Sequence, residues 1–336
     1  MWHTLGHERA VRILQRSLDN GSVSHAYLIL GPQQIGKMRL ASDLTAALNC
    51  LGHDRPCGEC SQCSRIDKGI HADVHLISLA TSVPEGGLPR VAIGIDRIKQ
   101  VQRETNFTPY EGRFRVIIVD GAEHLSEEAS NSLLKTLEEP PDRVVILVLA
   151  TNTSQLLPTL ISRCQVLELR PVPTLSISEL LQAEYGANKK DADQIARLSD
   201  GKPGWAINAV KDHSIQEELN RKLENIERVS RGDQESRFQY ASTLATAIAK
   251  DRDSGRKELR LWLQWWRDVL MVTEGASELV THLSRIETLK VTAEGLTPAR
   301  ASSVIKAIQD ALRHLESNVN SRLALESLML TLPIQP

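Results

Sequence analysis

The segment that most narrows the choice of folds runs from residue 27 to residue 44 and reads YLILGPQQIGKMRLASDL. An apolar run is followed by a loop with glycines, a lysine and a helical pattern, which is typical of a phosphate-binding loop between a strand and a helix. Gly31, Gly36 and Lys37 have the spacing of the motif G-x-x-x-x-G-K-[ST], but Met38 stands where a hydroxyl residue is required. The segment predicts an α/β domain and a nucleotide site with one altered position.

The bulk composition is that of a globular chain with more than one domain. Its 336 residues exceed one average domain, so two or three domains are expected. Hydrophobic residues make up 41% and charged residues 24%, which is enough apolar material for a real core. The net charge of -2 provides no global field for nucleic acid, so any such contact must come from a local patch.

The amino terminus and the hydropathy pattern argue against export and membrane insertion. The first residues, MWHTLGHERAVRILQRSL, are charged and amphipathic, unlike a signal peptide. No apolar run approaches the roughly 18 residues that a spanning helix needs. The clustered cysteines suit a reducing compartment. We expect a cytoplasmic protein without a membrane partner.

Strand and helix patterns alternate over the first part of the chain. Strand-like runs are AYLIL, DVHLISL, RFRVIIVD and RVVILVLA, with helical patterns between them. Residues 144–150 are almost wholly apolar, which is typical of strands buried on both faces of a parallel sheet. In SEEASNSLLKTLEEPP, Ser126 is the expected N-cap and Pro140 the expected stop. The alternation predicts a three-layer α/β domain.

Beyond the segment RPVPT, near residue 172, the pattern becomes helical throughout. A short helical unit is expected over residues 174–208, followed by a longer helical region. In that region Trp262, Trp265 and Trp266 have helical spacing. A packed helix face is the favoured interpretation, and a stacking platform for bases is the alternative.

The chemical parts for nucleotide hydrolysis are incomplete. Met38 offers a thioether, which is a poor ligand for a hard cation such as Mg²⁺. Asp120 ends an apolar strand, where an acidic side chain can hold magnesium, but Gly121 follows where hydrolysing proteins of this type carry a water-activating glutamate. Glu123 comes two residues later and is expected to point elsewhere. The absence of the magnesium-binding hydroxyl and of the water-activating carboxylate argues against ATP hydrolysis. The glycines and the lysine of the loop remain, so weak nucleotide binding is left open.

Four of the five cysteines cluster in the segment CLGHDRPCGECSQC, as Cys50, Cys57, Cys60 and Cys63. Four convergent thiolates make a closed tetrahedral Zn²⁺ site, so zinc here would be structural. Free buried thiols and an iron–sulfur cluster are the alternatives, with His53 as a substitute ligand. The sequence argues against a zinc hydrolase or deaminase. Catalytic zinc keeps one coordination position for water, and no H-x-E motif accompanies PCGEC. Cys164 is not an expected ligand.

A local basic patch is the candidate contact with nucleic acid, formed by Arg97, Lys99, Arg103, Arg113 and Arg115. Lys99 and Arg103 are four positions apart and share a helix face. Binding to the phosphate backbone is one interpretation. A solvated helix face that pairs with Glu104 is the other.

Several stretches resemble the AAA+ clamp-loader family of bacterial DNA polymerase III. They are SHAYLILGPQQIGK, VIIVDGAEHLSEEASNSLLKTLEEPP, LATNTSQLLPTLISRCQVLEL and SNVNSRLALESLML. The resemblance implies a RecA-like AAA+ parallel sheet domain over residues 1–170 with a zinc-module insertion at residues 50–66. It further implies a small helical lid domain at 171–210 and a helical collar domain at 211–336. The predicted fold class is therefore α/β plus all-α.

The resemblance also implies a role for one arginine. In the segment SRC, Arg163 corresponds to the family's arginine finger, which reaches the γ-phosphate of ATP bound by a neighbouring subunit. A planar, always-charged guanidinium stabilises charge on the transferring phosphoryl group and contributes about 10³–10⁵ in rate. Gly204 stands where active members carry a lid arginine, whereas Thr151 and Asn152 keep the polar character of the sensor region.

These features predict a stator-like subunit of the clamp loader that has no ATPase activity of its own. Binding of ATP and Mg²⁺ by this chain is left open. The implied partners are delta and gamma/tau subunits in a hetero-pentamer, the sliding clamp and, through the complex, primed DNA. The alternative is an active, gamma/tau-like ATPase motor in which Glu123 replaces the missing carboxylate.

Overall fold

The structure is a computed structural model that describes residues 1–82, 92–105, 108–316 and 320–333. The chain divides into two compact units, residues 1–180 with 199–206 and residues 181–198 with 207–336. The division into domains at 1–170, 171–210 and 211–336 stays a prediction. Within the predicted collar, residues 317–319 and 334–336 lie outside the described residues.

Five parallel strands form the sheet of the first unit: β1 (Ala26–Leu30), β2 (Val74–Ile77), β3 (Arg115–Asp120), β4 (Val144–Ala150) and β5 (Gln165–Glu168). Their order across the sheet is β2-β3-β4-β1-β5. Parallel neighbours require crossover connections, which here contain helices. The helices of this part of the chain are α1 (Glu8–Asp19), α2 (Lys37–Asn49), α3 (Ser61–Asp67), α4 (Ile95–Thr105), α5 (Glu127–Glu138) and α6 (Pro158–Ile161).

The central strands are buried because their side chains are apolar on both faces. All seven residues of β4 are buried, and this strand lies between β3 and β1. Side chains alternate along β1, so that Leu28 packs in one core while Tyr27 and Ile29 pack in another. The predicted three-layer α/β domain, with its RecA-like parallel sheet, is confirmed.

The predicted start of α5 is confirmed by its capping contact. The hydroxyl oxygen of Ser126 accepts a hydrogen bond from the backbone N–H of Ala129 at 3.1 Å. The helix ends at Glu138, two residues before Pro140. The sequence signals therefore fix both ends of this helix.

The second unit is helical in its described residues. The remaining helices of the chain are α7 (Thr174–Tyr185), α8 (Lys189–Leu198), α9 (Pro203–Lys211), α10 (His213–Arg231), α11 (Gln234–Lys250), α12 (Arg252–Thr273), α13 (Ile286–Ala293), α14 (Pro298–Glu316) and α15 (Ser321–Thr331). The residues of α7 and α9 are shared between the two units. Within the described residues, none of the helices has the length and apolar character of a membrane span.

The tryptophan group belongs to the core of the second unit. Trp262, Trp265 and Trp266 are fully buried there. The indole N–H of Trp262 donates to the hydroxyl of Tyr240 at 2.8 Å. Fully buried rings present no face to a base, so the packed-helix interpretation is confirmed and the stacking platform is wrong.

Candidate functional site

The phosphate-binding loop lies at the carboxyl edge of the sheet. It follows β1 and leads into α2, and the ends of the neighbouring strands meet beside it: Leu30 is in register with Ala150, and Asp120 with Leu149. Ligand sites of open parallel sheets form at this edge. The topology therefore brings together the loop, Asp120 and the sensor region after β4.

The side chain of Lys37 forms hydrogen bonds with backbone carbonyl groups of the loop itself. The Lys37 ammonium donates to the carbonyl oxygens of Gly31 at 2.6 Å and Pro32 at 2.9 Å. Met38, in place of the hydroxyl residue, packs against a core of the sheet domain. The cation that would neutralise a phosphate is thus engaged within the loop.

The start of α9 closes against the same loop. The backbone N–H of Gly204 donates to the carbonyl of Gln34 at 2.9 Å. A Cβ atom at position 204 would lie 2.8 Å from that oxygen, closer than real Cβ contacts allow. Gln34 itself has a φ of +62°, which is uncommon for a residue with a side chain. Position 204, which the resemblance equates with the lid arginine of active members, is therefore occupied by a close backbone contact with the loop.

Three charged side chains at this edge are electrostatically linked. Burial raises the pKa of the Asp120 carboxyl, the Lys37 ammonium opposes that rise and Glu123 adds to it. Burial lowers the pKa of Lys37, and the charges of Glu123 and Asp120 act to raise it. The expectation that Glu123 points elsewhere is wrong, because its carboxylate accepts hydrogen bonds from Thr151, which follows β4 at the same edge of the sheet.

Contacts with the sensor region hold Glu123 in this place. The Thr151 hydroxyl donates to Oε1 of Glu123 at 2.5 Å, and the Thr151 backbone N–H donates at 3.3 Å. Glu123 lies in a 3₁₀ turn after Gly121, whose φ is +79°. A glutamate at position 121 would have to adopt left-handed backbone that L side chains rarely take. The backbone therefore favours glycine where a water-activating carboxylate is expected.

Arg163 lies elsewhere on the first unit, in the turn between α6 and β5. Its Nη1 donates to the carbonyl oxygen of Thr159 at 3.0 Å, and its Nη2 is 2.7 Å from Oε1 of Glu138. The next residue, Cys164, packs against a core of the sheet, and burial raises the pKa of its thiol to about 11. The sequence gives no signal for the partner Glu138, which is distant in the chain.

The four clustered cysteines form a candidate metal centre. The sulfur atoms of Cys50, Cys57, Cys60 and Cys63 all lie within 4.8 Å of one another. A tetrahedral ion with Zn–S bonds of about 2.3 Å would draw them to about 3.8 Å apart, so the set fits zinc after a small contraction. His53 is exposed and lies outside the cluster.

Backbone N–H groups already point at the cluster sulfurs. Cys57 donates to Sγ of Cys50 at 3.3 Å, and Cys60 donates to Sγ of Cys57 at 3.4 Å. Burial works to raise the pKa of Cys60, but N–H donors, first among them that of Cys63, bring it down to about 6. Burial raises the pKa of Cys63 to about 12. The loop thus stabilises negative charge on the sulfur of Cys60.

The basic patch is only partly a surface feature. Lys99, Arg103 and Arg113 are exposed, whereas Arg97 is half-buried and its Nη1 donates to Oε1 of Gln100 at 2.9 Å. The prediction that Arg115 contacts nucleic acid is wrong. Its side chain is buried, with 7% of the residue exposed, and its Nη2 is 3.1 Å from Oδ1 of the buried Asp73. Burial acts to raise the pKa of Asp73, but backbone N–H donors and Arg115 lower it to about 2. This pair supports the sheet and is not available to a phosphate.

Comparisons with known proteins agree with the motifs. A family model described as DNA polymerase III, delta subunit, matches residues 6–173, which is half of the chain. The delta' subunit of DNA polymerase III from Bacillus subtilis (strain 168) is 28% identical over 327 residues, covering 96% of this chain and 95% of the relative. The tau subunit of the same organism is 33% identical over 208 residues, covering 59% of this chain and 34% of the relative.

Among solved structures, a gamma subunit-related protein of Thermotoga maritima covers 97% of both chains at 20% identity, with a TM-score of 0.42. The assignment depends on the sequence matches, since the family model includes the phosphate loop, Asp120 and Arg163. The chain therefore belongs to the family described as DNA polymerase III, delta subunit, among the clamp-loader proteins.

Proposed function

We propose that this chain is a delta-prime-type, stator-like subunit of the clamp loader, which does not hydrolyse ATP and supplies Arg163 to ATP on a neighbouring subunit. Similarity to a delta' subunit over nearly the whole length of both chains supports the subtype. The observation that carries the proposal is the contact of Gly204 with the phosphate loop at 2.9 Å. That contact lies where active members of the family carry the lid arginine, which takes part in ATP hydrolysis.

The remaining chemistry of the site also supports a subunit without turnover. Met38 supplies no hydroxyl for magnesium and is packed against a core. Gly121 supplies no carboxylate and has left-handed backbone. The degenerate nucleotide site is formed by Gly31, Gly36, Lys37 and Asp120. The first three residues belong to the phosphate loop, and Asp120 is the last residue of β3.

The assembly follows from the same proposal. The partners are delta and gamma/tau subunits in a hetero-pentamer, the sliding clamp and, through the complex, primed DNA. Residues 171–210 would act as the lid and 211–336 as the collar through which subunits associate. The exposed residues Lys99, Arg103 and Arg113, with the half-buried Arg97, remain the candidates for contact with the duplex backbone.

The cysteine cluster would hold a structural Zn²⁺. Four thiolate ligands leave no open coordination position, so the ion would stabilise the module at residues 50–66 and take no part in hydrolysis. Cys50 and Cys63 are buried, whereas Cys57 and Cys60 are partly exposed, so the ion would sit at the edge of the domain.

Replacement of Arg163 tests the proposal directly. In a loader reconstituted with Arg163→Ala, hydrolysis at the affected interface is expected to fall by about 10³-fold or more, because the transferring phosphoryl group loses its cation. The measurement is phosphate release stimulated by clamp and primed DNA. Arg170→Ala is the matched control, since that arginine is 80% exposed and two residues past the end of β5. Stimulated rates that equal those of the unaltered loader would contradict the role of Arg163.

An ATPase motor is the second candidate, and the place of Glu123 favours it. The Glu123 carboxylate accepts hydrogen bonds from Thr151, directly after β4, so a carboxylate is held at the edge of the sheet where the loop lies. The purified chain without partners distinguishes the two functions. Phosphate release that disappears in Lys37→Ala and in Glu123→Gln would establish the motor, whereas we expect no release above background.

A further inference from the structure

We propose that Glu138 is a positioning residue for Arg163, which orients the guanidinium for its encounter with the neighbouring subunit's phosphate. This inference rests on the proposed role of Arg163 as an arginine finger. Glu138 would touch neither ATP nor the attacking water, and would act only through the arginine.

The geometry of the pair fixes the plane of the guanidinium. One terminal nitrogen, Nη2, is 2.7 Å from Oε1 of Glu138, while the other, Nη1, donates to the carbonyl of Thr159 at 3.0 Å. The guanidinium is planar, so two anchors on different nitrogens set both its position and its tilt. Either contact alone would leave the group free to swing about a single bond.

The two residues that contact Arg163, Glu138 and Thr159, lie next to side chains of the same core. Glu138 is the last residue of α5, whose Leu133 and Leu137 are buried in a core of the sheet. Leu160, next to Thr159, is buried in that same core. Close-packed cores allow little relative movement, so the distance between the two anchors is set by the fold.

The pair is exposed enough to orient the arginine without withholding it. The side chain of Arg163 is 34% exposed and that of Glu138 is 51% exposed. Ion pairs in such surroundings are weak, so a phosphate can compete with the carboxylate. Two of the five N–H donors of the guanidinium are used by these contacts among the described residues, which leaves donors for a phosphate.

Removal of the carboxylate should therefore loosen the arginine and leave its charge intact. A long side chain that is not held must lose its rotamer freedom when it enters the neighbouring site. That loss affects the transition state, where the guanidinium acts, more than the binding of ATP by the neighbour. We expect a lower kcat and an unchanged KM for ATP.

The test is Glu138→Gln in the reconstituted loader, measured as hydrolysis stimulated by clamp and primed DNA per assembled complex. The expected result is a two- to fivefold lower kcat, about the effect of one weak ion pair, with KM unchanged. Glu139→Gln is the matched control, because Glu139 is the next residue and is also exposed. The control should retain the unaltered rate.

The double variant Glu138→Gln with Arg163→Ala separates positioning from a direct role. If Glu138 acts only through the arginine, the double variant has the same rate as Arg163→Ala alone. A double variant slower than Arg163→Ala, a Glu138→Gln rate equal to or above that of the unaltered loader, or a raised KM would each overturn the inference. In those cases a deficient Arg163→Ala still supports the arginine finger. If Arg163→Ala has full activity, the proposed function fails and the positioning role fails with it.

Discussion

Gly204 determines how closely the start of α9 approaches the phosphate loop. Its N–H donates to the carbonyl of Gln34, and no side-chain atom separates the two backbones. A neighbour that is a loop carbonyl cannot rotate aside as a flexible side chain can. Because position 204 has no side chain, the start of α9 can form this backbone hydrogen bond with the phosphate loop.

We expect Gly204→Arg to destabilise the chain without creating ATPase activity. Overpacking of this kind costs about 1–3 kcal/mol, and the better helix preference of arginine recovers less than about 1 kcal/mol. Denaturant unfolding measures the loss, and phosphate release by the purified chain measures activity. Gly204→Ala adds only the Cβ atom and should also lose stability. Unchanged unfolding free energies in both variants would contradict the close contact.

Two helices beside the metal centre have a cysteine of the cluster at one end. The N-cap of α3 is Cys60, whose sulfur accepts a hydrogen bond from the backbone N–H of Cys63. Cys50 is the C-cap residue of α2. Two helices thus begin or end at residues of the cluster, so loss of the metal should be felt by both.

We expect the purified chain to contain one Zn²⁺, and Cys60→Ser to lose most of it. A hydroxyl is a weaker ligand for zinc than a thiolate, and metal binding at such sites contributes directly to folding. Elemental analysis gives the metal content, and thermal unfolding gives the accompanying loss of stability. Cys164→Ser is the matched control and should keep its zinc. Equal zinc content in the two variants would remove Cys60 from the ligand set.

Most elements of the sheet domain could be predicted from short-range signals, and the exceptions have physical reasons. Apolar runs identify β1 to β4, and a cap and a proline identify α5. β5 was not predicted as a strand, because only Leu167 of its four residues is buried and the pattern is weak. The helix α3 was missed because SQCSRID lacks an apolar helical period. Spacing alone cannot assign either element.

The same contrast applies to the candidate site. The loop and the four cysteines are each identified by spacing within a short segment, and Asp120 is identified by its place at the end of a strand. The structure places the four sulfur atoms together, and it places Asp120 at the edge of the sheet that carries the loop. Glu123 and Arg115 were misjudged, and Glu138 was missed. Their contacts join residues that are distant in sequence or depend on a tight turn, so they are decided by tertiary packing.

At the scale of the whole molecule, the proposed role divides the chain between an inert nucleotide site and surfaces that serve other subunits. The similarity to a delta' subunit extends over 95% of that relative, whereas the chain spans 34% of the tau relative. In the second unit, α15 carries two leucines seven positions apart, Leu323 and Leu330, which are 62% and 57% exposed. Residues at this spacing share a helix face, which we expect a neighbouring subunit to cover in the assembled loader.

We expect Leu323→Ser with Leu330→Ser to weaken assembly of the hetero-pentamer while the chain stays folded. The two side chains are already exposed, so their loss removes apolar area from a subunit interface and little from the core. Native mass spectrometry of the mixed subunits measures assembly. Leu175→Ser, at a 69% exposed position on α7, is the control and should assemble normally. Full assembly of the double variant would exclude this face of α15 from the collar interface.

The hydrogen bond between Gly204 and the loop also bears on how this subunit would respond to ATP in the cell. Under the proposed role, the neighbouring subunits bind and hydrolyse ATP, so their conformations would follow the ratio of ATP to ADP. This chain would not hydrolyse ATP, and we expect its conformation to change less with that ratio. It would then provide the loader with a fixed part, relative to which the other subunits move.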